Sequence, residues 1–177
     1  MTDGVRDRVE EEARRLEEEC LYTEKTHFVA TRGWTILHYL FGLPSVVLAA
    51  VAATLAFEQW DATGFWIGWI SMAVAALAAV VTFLSPSKKA ATHHNKGCDY
   101  GALRGKVRRF QNVGCHLESG RNHSALAADL EELANRKAEL DKQDPPAPTW
   151  AYRMARWGIR SGQAAYDVDR TAENSGT

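Results

Sequence analysis

From residue 33 to residue 84 the chain contains no Lys or Arg, and its only acids there are Glu58 and Asp61. The flanks are densely charged. Residues 1–32 carry six Lys+Arg and nine Asp+Glu, and residues 85–177 carry fifteen and eleven. A chain segregated this sharply is expected to divide into a membrane part and aqueous parts. The charge-poor stretch holds two apolar runs, 33–57 and 64–85, joined by the short connection 58–63. A helix rises about 1.5 Å per residue, so about 20 apolar residues cross a hydrocarbon core of about 30 Å. Both runs reach that length, and the short connection makes them antiparallel neighbours. The alternative, two buried core helices of a soluble fold, requires a chain large enough to cover both.

Orientation follows from the cations near the membrane. The connection 58–63 has none. Lys25 and Arg32 precede the first run, and Lys88, Lys89, Lys96, Arg104, Lys106, Arg108 and Arg109 follow the second. The positive-inside rule places both flanks, and both termini, in the cytoplasm. Trp60, Phe65, Trp66 and Trp69 near the connection, and Trp34 and Tyr39 at the other end, match the two aromatic belts of a bilayer. The first twenty residues lack a basic segment followed by an apolar one, so the first run is expected to act as its own insertion signal. The seven cations after the second run are read as a contact for anionic lipid or for an anionic signal. No basic-aromatic surface accompanies them, so nucleic acid is not an expected partner.

Small residues recur along both runs. Gly64, Gly68, Ser71, Ala75 and Ala79 in the second define a face on which helix backbones can approach closely. That face either packs the hairpin on itself or also joins subunits, and a homo-oligomer is the expectation. Ser45, Thr54, Ser71 and Thr82 could line a narrow lumen, or could bond the carbonyls of their own helices. Pro44, beside Gly42, is expected to kink the first run. His38 either gates or senses protons, or is a neutral, hydrogen-bonded imidazole.

The flanks read as helices. Val5, Val9, Ala13, Leu16 and Cys20 repeat every three to four residues over 4–30. After a break at Pro86, Tyr100, Leu103, Val107 and Phe110 mark a helix over about 90–116. That helix is weakened by Gly97, Gly101 and Gly105, a stripe read as packing. Leu126, Leu130, Leu133 and Leu140 mark another over about 124–142. The expected organisation is an N-terminal amphipathic helix (1–32), a transmembrane hairpin (33–85), cytoplasmic helices (86–143), a Pro-rich breaker with a short amphipathic segment (144–162) and a disordered tail (163–177). The fold class is all-α, a membrane hairpin with a cytoplasmic helical bundle.

Three cysteines at irregular spacing do not form a disulfide framework. His93, His94, Cys98, Cys115 and His116 match no zinc spacing, so no metal is expected. No nucleotide-binding or nucleophile motif is present, so neither a cofactor nor a catalytic residue is expected, and the chain is not read as an enzyme.

The segments YTEKTHFVATRGW before the hairpin and SPSKKAATHHNKGCDYGALRGKVRRF after it resemble the SLATT family. Pro86, Lys88, Lys89, His94, Tyr100 and Leu103 carry the likeness, which covers about 21–140. The resemblance implies a membrane effector of bacterial conflict and anti-phage systems. Such an effector oligomerises and permeabilises the inner membrane on a signal, and works beside a sensor or nucleotide-signal partner protein. The competing expectations are a constitutive membrane-anchored scaffold and a small channel subunit.

Overall fold

The computed structural model describes residues 3–57, 64–115, 123–143 and 145–162. These form five α-helices: α1 Asp3–Phe57, α2 Gly64–Leu84, α3 Pro86–Arg109, α4 His123–Lys142 and α5 Thr149–Arg160, with a π-helical stretch, Phe110–Cys115, continuing α3. Among the described residues there is no strand, and the fold is all-α. The connection 58–63, His116 and the tail from Gln163 lie outside the described residues. The chain separates into two compact units. One comprises Met1–Ala30 and His93–Thr177, the other Thr31–Thr92.

The first unit is built on α1, α3 and α4. Val9, Ala13, Leu16 and Cys20 on α1 are buried, as are Tyr100, Leu103 and Val107 on α3 and Leu126 and Leu140 on α4. The sequence period thus marks the covered faces, apart from Val5, which is exposed. Register is fixed by polar contacts. His27 meets His93, Glu24 and Glu17 meet Arg104, and Glu19 meets Lys137. Helix α1 therefore runs antiparallel to α3 and parallel to α4. Gly97 and Gly101 lie where α3 approaches α1. A Cβ at Gly97 would stand 3.1 Å from the Phe28 ring, and one at Gly101 would stand 3.4 Å from the Glu24 side chain. This glycine stripe serves packing. Helix α5 joins the unit through small residues, with Ala151, Ala155 and Gly158 buried.

The second unit is a hairpin. Lys89 Nζ lies 4.5 Å above the Trp34 ring, and Thr31 Oγ1 donates to the Ala90 carbonyl at 3.5 Å. The start of this α1 segment thus lies beside residues that directly follow α2, so α1 and α2 are antiparallel. Pro44 is inside α1, which continues through it. Helix α3 begins at Pro86, four residues earlier than the sequence pattern indicates. Proline is pre-organised for the first helical position and its missing N–H is not needed there. The break falls instead at Ser85, with φ 44, the one non-glycine positive φ among the described residues. Its N–H closes α2 onto Val81, and its carbonyl accepts from Lys89 in α3.

Candidate functional site

Helices α1 and α2 are each long and apolar enough to cross a membrane, and none of the apolar window on either is buried. What distinguishes their surfaces is which side carries which residues. The half-covered positions on α2 are Ile67, Ile70, Val74, Leu77, Val81 and Leu84, with Val80 beside Val81. On α1 they include Trp34, His38, Phe41, Ser45, Leu48, Ala52 and Leu55. Both sets alternate spacings of three and four, the seam of two helices packed along their length. The hairpin is therefore closed mainly by branched and bulky residues, with Ser45 and Ala52 the small ones on the α1 side.

The small residues lie elsewhere. At about 100° per residue, Gly68, Ser71, Ala75, Ala79 and Thr82 gather about a third of a turn from the α2 seam. Ser71, Ala75, Ala79 and Thr82 are exposed, and a Cβ at Gly68 would meet no atom within 4 Å. Gly64 begins α2. On α1, Gly42, Ala49 and Ala53 stand about a quarter of a turn from their seam, in the same rotational sense. Ala49 and Ala53 are exposed, and Gly42 also has open space at its Cβ position. In an antiparallel pair, equal senses of rotation lead to the same side. The two rows thus share one side of the hairpin, smooth along α2 but with exposed Val46 standing between Gly42 and Ala49 on α1. Phe65, Trp69, Met72 and Phe83 on α2, and Ile36, Leu40, Leu43 and Val47 on α1, are exposed on other faces.

Of the four lumen candidates, Ser71 and Thr82 lie on the side the two rows share. Ser45 sits in the seam, and Thr54 lies away from both. Three of them satisfy their own helix. Ser45 Oγ donates to the Phe41 carbonyl at 2.6 Å, Thr54 Oγ1 to Ala50 at 2.9 Å and Thr82 Oγ1 to Ala78 at 2.8 Å. His38 faces the seam, where its Nδ1, like Trp34 Nε1 one turn earlier, is buried with no hydrogen-bond partner among the described residues.

The basic run is divided between the two units. Lys88 and Lys89 are exposed in the hairpin unit, and Lys89 covers the Trp34 ring. Arg104 is held inside the bundle, 3.6 Å from Glu17 and 3.4 Å from Glu24, with 11% of its side chain exposed. Lys96 and Arg108 are half-buried, whereas Lys106 and Arg109 are exposed.

A polar core runs through the bundle that the sequence pattern did not single out. His27 and His93, both buried, place their Nδ1 atoms 2.9 Å apart. The His27 ring stacks on Tyr100, whose hydroxyl donates to Asp141 Oδ1 at 2.6 Å. Lys137 then bridges Asp141 at 2.9 Å and Glu19 at 3.0 Å. Burial alone pulls the Lys137 pKa down, but the hydrogen bonds and charges of Asp141 and Glu19 outweigh it and raise it above 10.5. Burial pushes the Cys20 thiol up to about 11. The signal for this core was present: His27 lies one heptad beyond Cys20, and His93 one heptad before Tyr100. Among the described residues no three His, Cys, Asp or Glu side chains converge as metal ligands. The chain matches no family model, no curated protein and no solved structure.

Proposed function

We propose that this chain is a bacterial inner-membrane effector that oligomerises and permeabilises the membrane on a signal. The hairpin crosses the bilayer twice, both termini lie in the cytoplasm, and the helical bundle receives the signal from a sensor or nucleotide-signal partner. The carrying observation is the small-residue row of α2. A seam that is Ile/Leu/Val on the α2 side already closes α1 on α2, so the exposed row through Gly68, Ser71 and Ala75 is free to pack against other copies. The resemblance of the flanking segments to SLATT proteins supplies the class of function. Ser71 and Thr82 share that row and are the hydroxyls proposed to meet water in the assembled state.

The test is membrane integrity in a bacterium expressing the chain under tight control, read with a voltage dye and a small impermeant dye, with and without the native gene neighbours. Depolarisation that needs the neighbours and is lost in Gly68→Leu is expected. Intact membranes under every condition, with insertion demonstrated and the neighbours active, would exclude permeabilisation and favour a constitutive anchored scaffold.

A further inference from the structure

Helix α5 docks onto its unit by its smallest residues and holds its largest ones outward. Ala151, Ala155 and Gly158 are buried, while Trp150, Met154 and Trp157 are exposed, Trp157 to 70%. At about 100° per residue, Trp150, Met154 and Trp157 form one narrow stripe along a flank of the docked face. Arg153, Arg156 and Arg160 form the adjoining row, opposite the buried face. All three are exposed, the helix carries no acid, and among the described residues none of the three guanidinium groups has an ion-pair or hydrogen-bond partner. Burying an apolar stripe against the bundle would have been the ordinary use of such a helix. Here the bundle takes the other face.

We infer that α5 is a surface-binding helix for anionic lipid headgroups. Tryptophan and methionine beside a row of arginines is the composition of a helix lying in the interfacial plane, with apolar side chains at the acyl boundary and cations among phosphates. The charge is complementary to an anionic bilayer and unopposed on its own helix. A second copy of this chain is the competing occupant, since α1 carries Glu10, Glu11 and Glu12, but these are spread around the helix and already ion-paired with Arg14 and Arg15. The stripe of two tryptophans, which sit well at a water–lipid boundary, favours the lipid. This inference concerns α5 alone: a chain that binds lipid here yet never permeabilises a membrane would leave it standing.

The full chain, with Cys98→Ser and Cys115→Ser, is labelled at Met154→Cys with an environment-sensitive fluorophore. It is then reconstituted into phosphatidylcholine vesicles with or without phosphatidylglycerol, some carrying lipid brominated near the headgroup. Ala128→Cys on the exposed face of α4 is the control. With phosphatidylglycerol, brominated lipid should quench the residue 154 label and leave the control bright. Each arginine contributes roughly fivefold to partitioning onto an anionic surface, so Arg153→Gln, Arg156→Gln and Arg160→Gln together should weaken it on the order of 100-fold. A label open to aqueous iodide and untouched by brominated lipid would overturn the inference. So would protection that rises with protein-to-lipid ratio and ignores phosphatidylglycerol, the signature of a second copy.

Discussion

Replacing Tyr100 by Phe removes one hydroxyl from the centre of the bundle and leaves the ring in place. Tyr100 is fully buried, and its hydroxyl donates at 2.6 Å to a carboxylate oxygen of Asp141. Hydrogen bonds to charged groups contribute about 1.5–3 kcal/mol. Asp141 keeps Lys137 at 2.9 Å, and 46% of its side chain is exposed, so water can reach the carboxylate. The lower half of that range applies, about 2 kcal/mol. Amide hydrogen exchange on the full chain in detergent isolates the effect, because α3 amides near residue 100 exchange through opening of the bundle. A loss of about 2 kcal/mol speeds their exchange about 30-fold and should leave amides within α2 unchanged. A cycle with Asp141→Ala measures the pair itself, separating it from the Lys137 contact that Asp141→Ala also removes. Exchange within about twofold of the unmodified chain, or a coupling near zero in the cycle, would refute the assignment of this bond as a main tie between α3 and α4.

Two further outcomes follow from the same bundle. Cys20 and Lys137 both have raised folded-state pKa values, so their contributions are intact below the unfolded values, 9.0 and 10.5, and are lost as pH climbs through the folded ones. Thermal melts should weaken from pH 9 toward 11, by about 2 kcal/mol from the thiol, and Cys20→Ala should flatten that slope. Gly97→Leu forces a side chain against the Phe28 ring, 3.1 Å from where its Cβ would stand. Overpacking costs about 1–3 kcal/mol and the gain in helix propensity offsets about 1, so α3 protection should fall, whereas Gly68→Leu should leave it unchanged.

The helices themselves were legible because their signals are local. The periods of Val9 to Cys20 and of Tyr100 to Phe110 predict covered faces, and those faces are covered. Partner choice was less legible because it depends on register between segments far apart in the chain. Arg104 reads as one of seven juxtamembrane cations, but Glu17 and Glu24 hold it inside the bundle. His27 and His93 carry a polar contact into positions where the heptad places apolar residues, and neither could be paired without the antiparallel register of α1 and α3. The sequence pattern starts α3 about four residues late, because Pro86, a proline flanked by serines, reads as a breaker. It acts as a first-turn residue, and Ser85 supplies the break.

The glycines of α3 and those of the hairpin differ in what they touch. A glycine within a helix is about 1 kcal/mol less favourable than alanine in water, so each retained glycine calls for an offsetting gain. For Gly97 and Gly101 the gain lies inside the chain: Phe28 and Glu24 occupy the space a Cβ would fill, and α3 approaches α1 there. For Gly42 and Gly68 nothing lies within 4 Å of that space. The hairpin seam does not use them, since it runs through Ile67, Ile70, Val74, Leu77 and Val81 on another face. Large apolar side chains would suit a purely lipid-facing position as well, and Phe65, Trp69, Met72 and Phe83 are exposed on α2. Lipid contact therefore gives no reason for glycine at 42 and 68. Close approach of another backbone does, and with the chain's own helices engaged along the seam, a second copy is the partner that fits the proposed assembly.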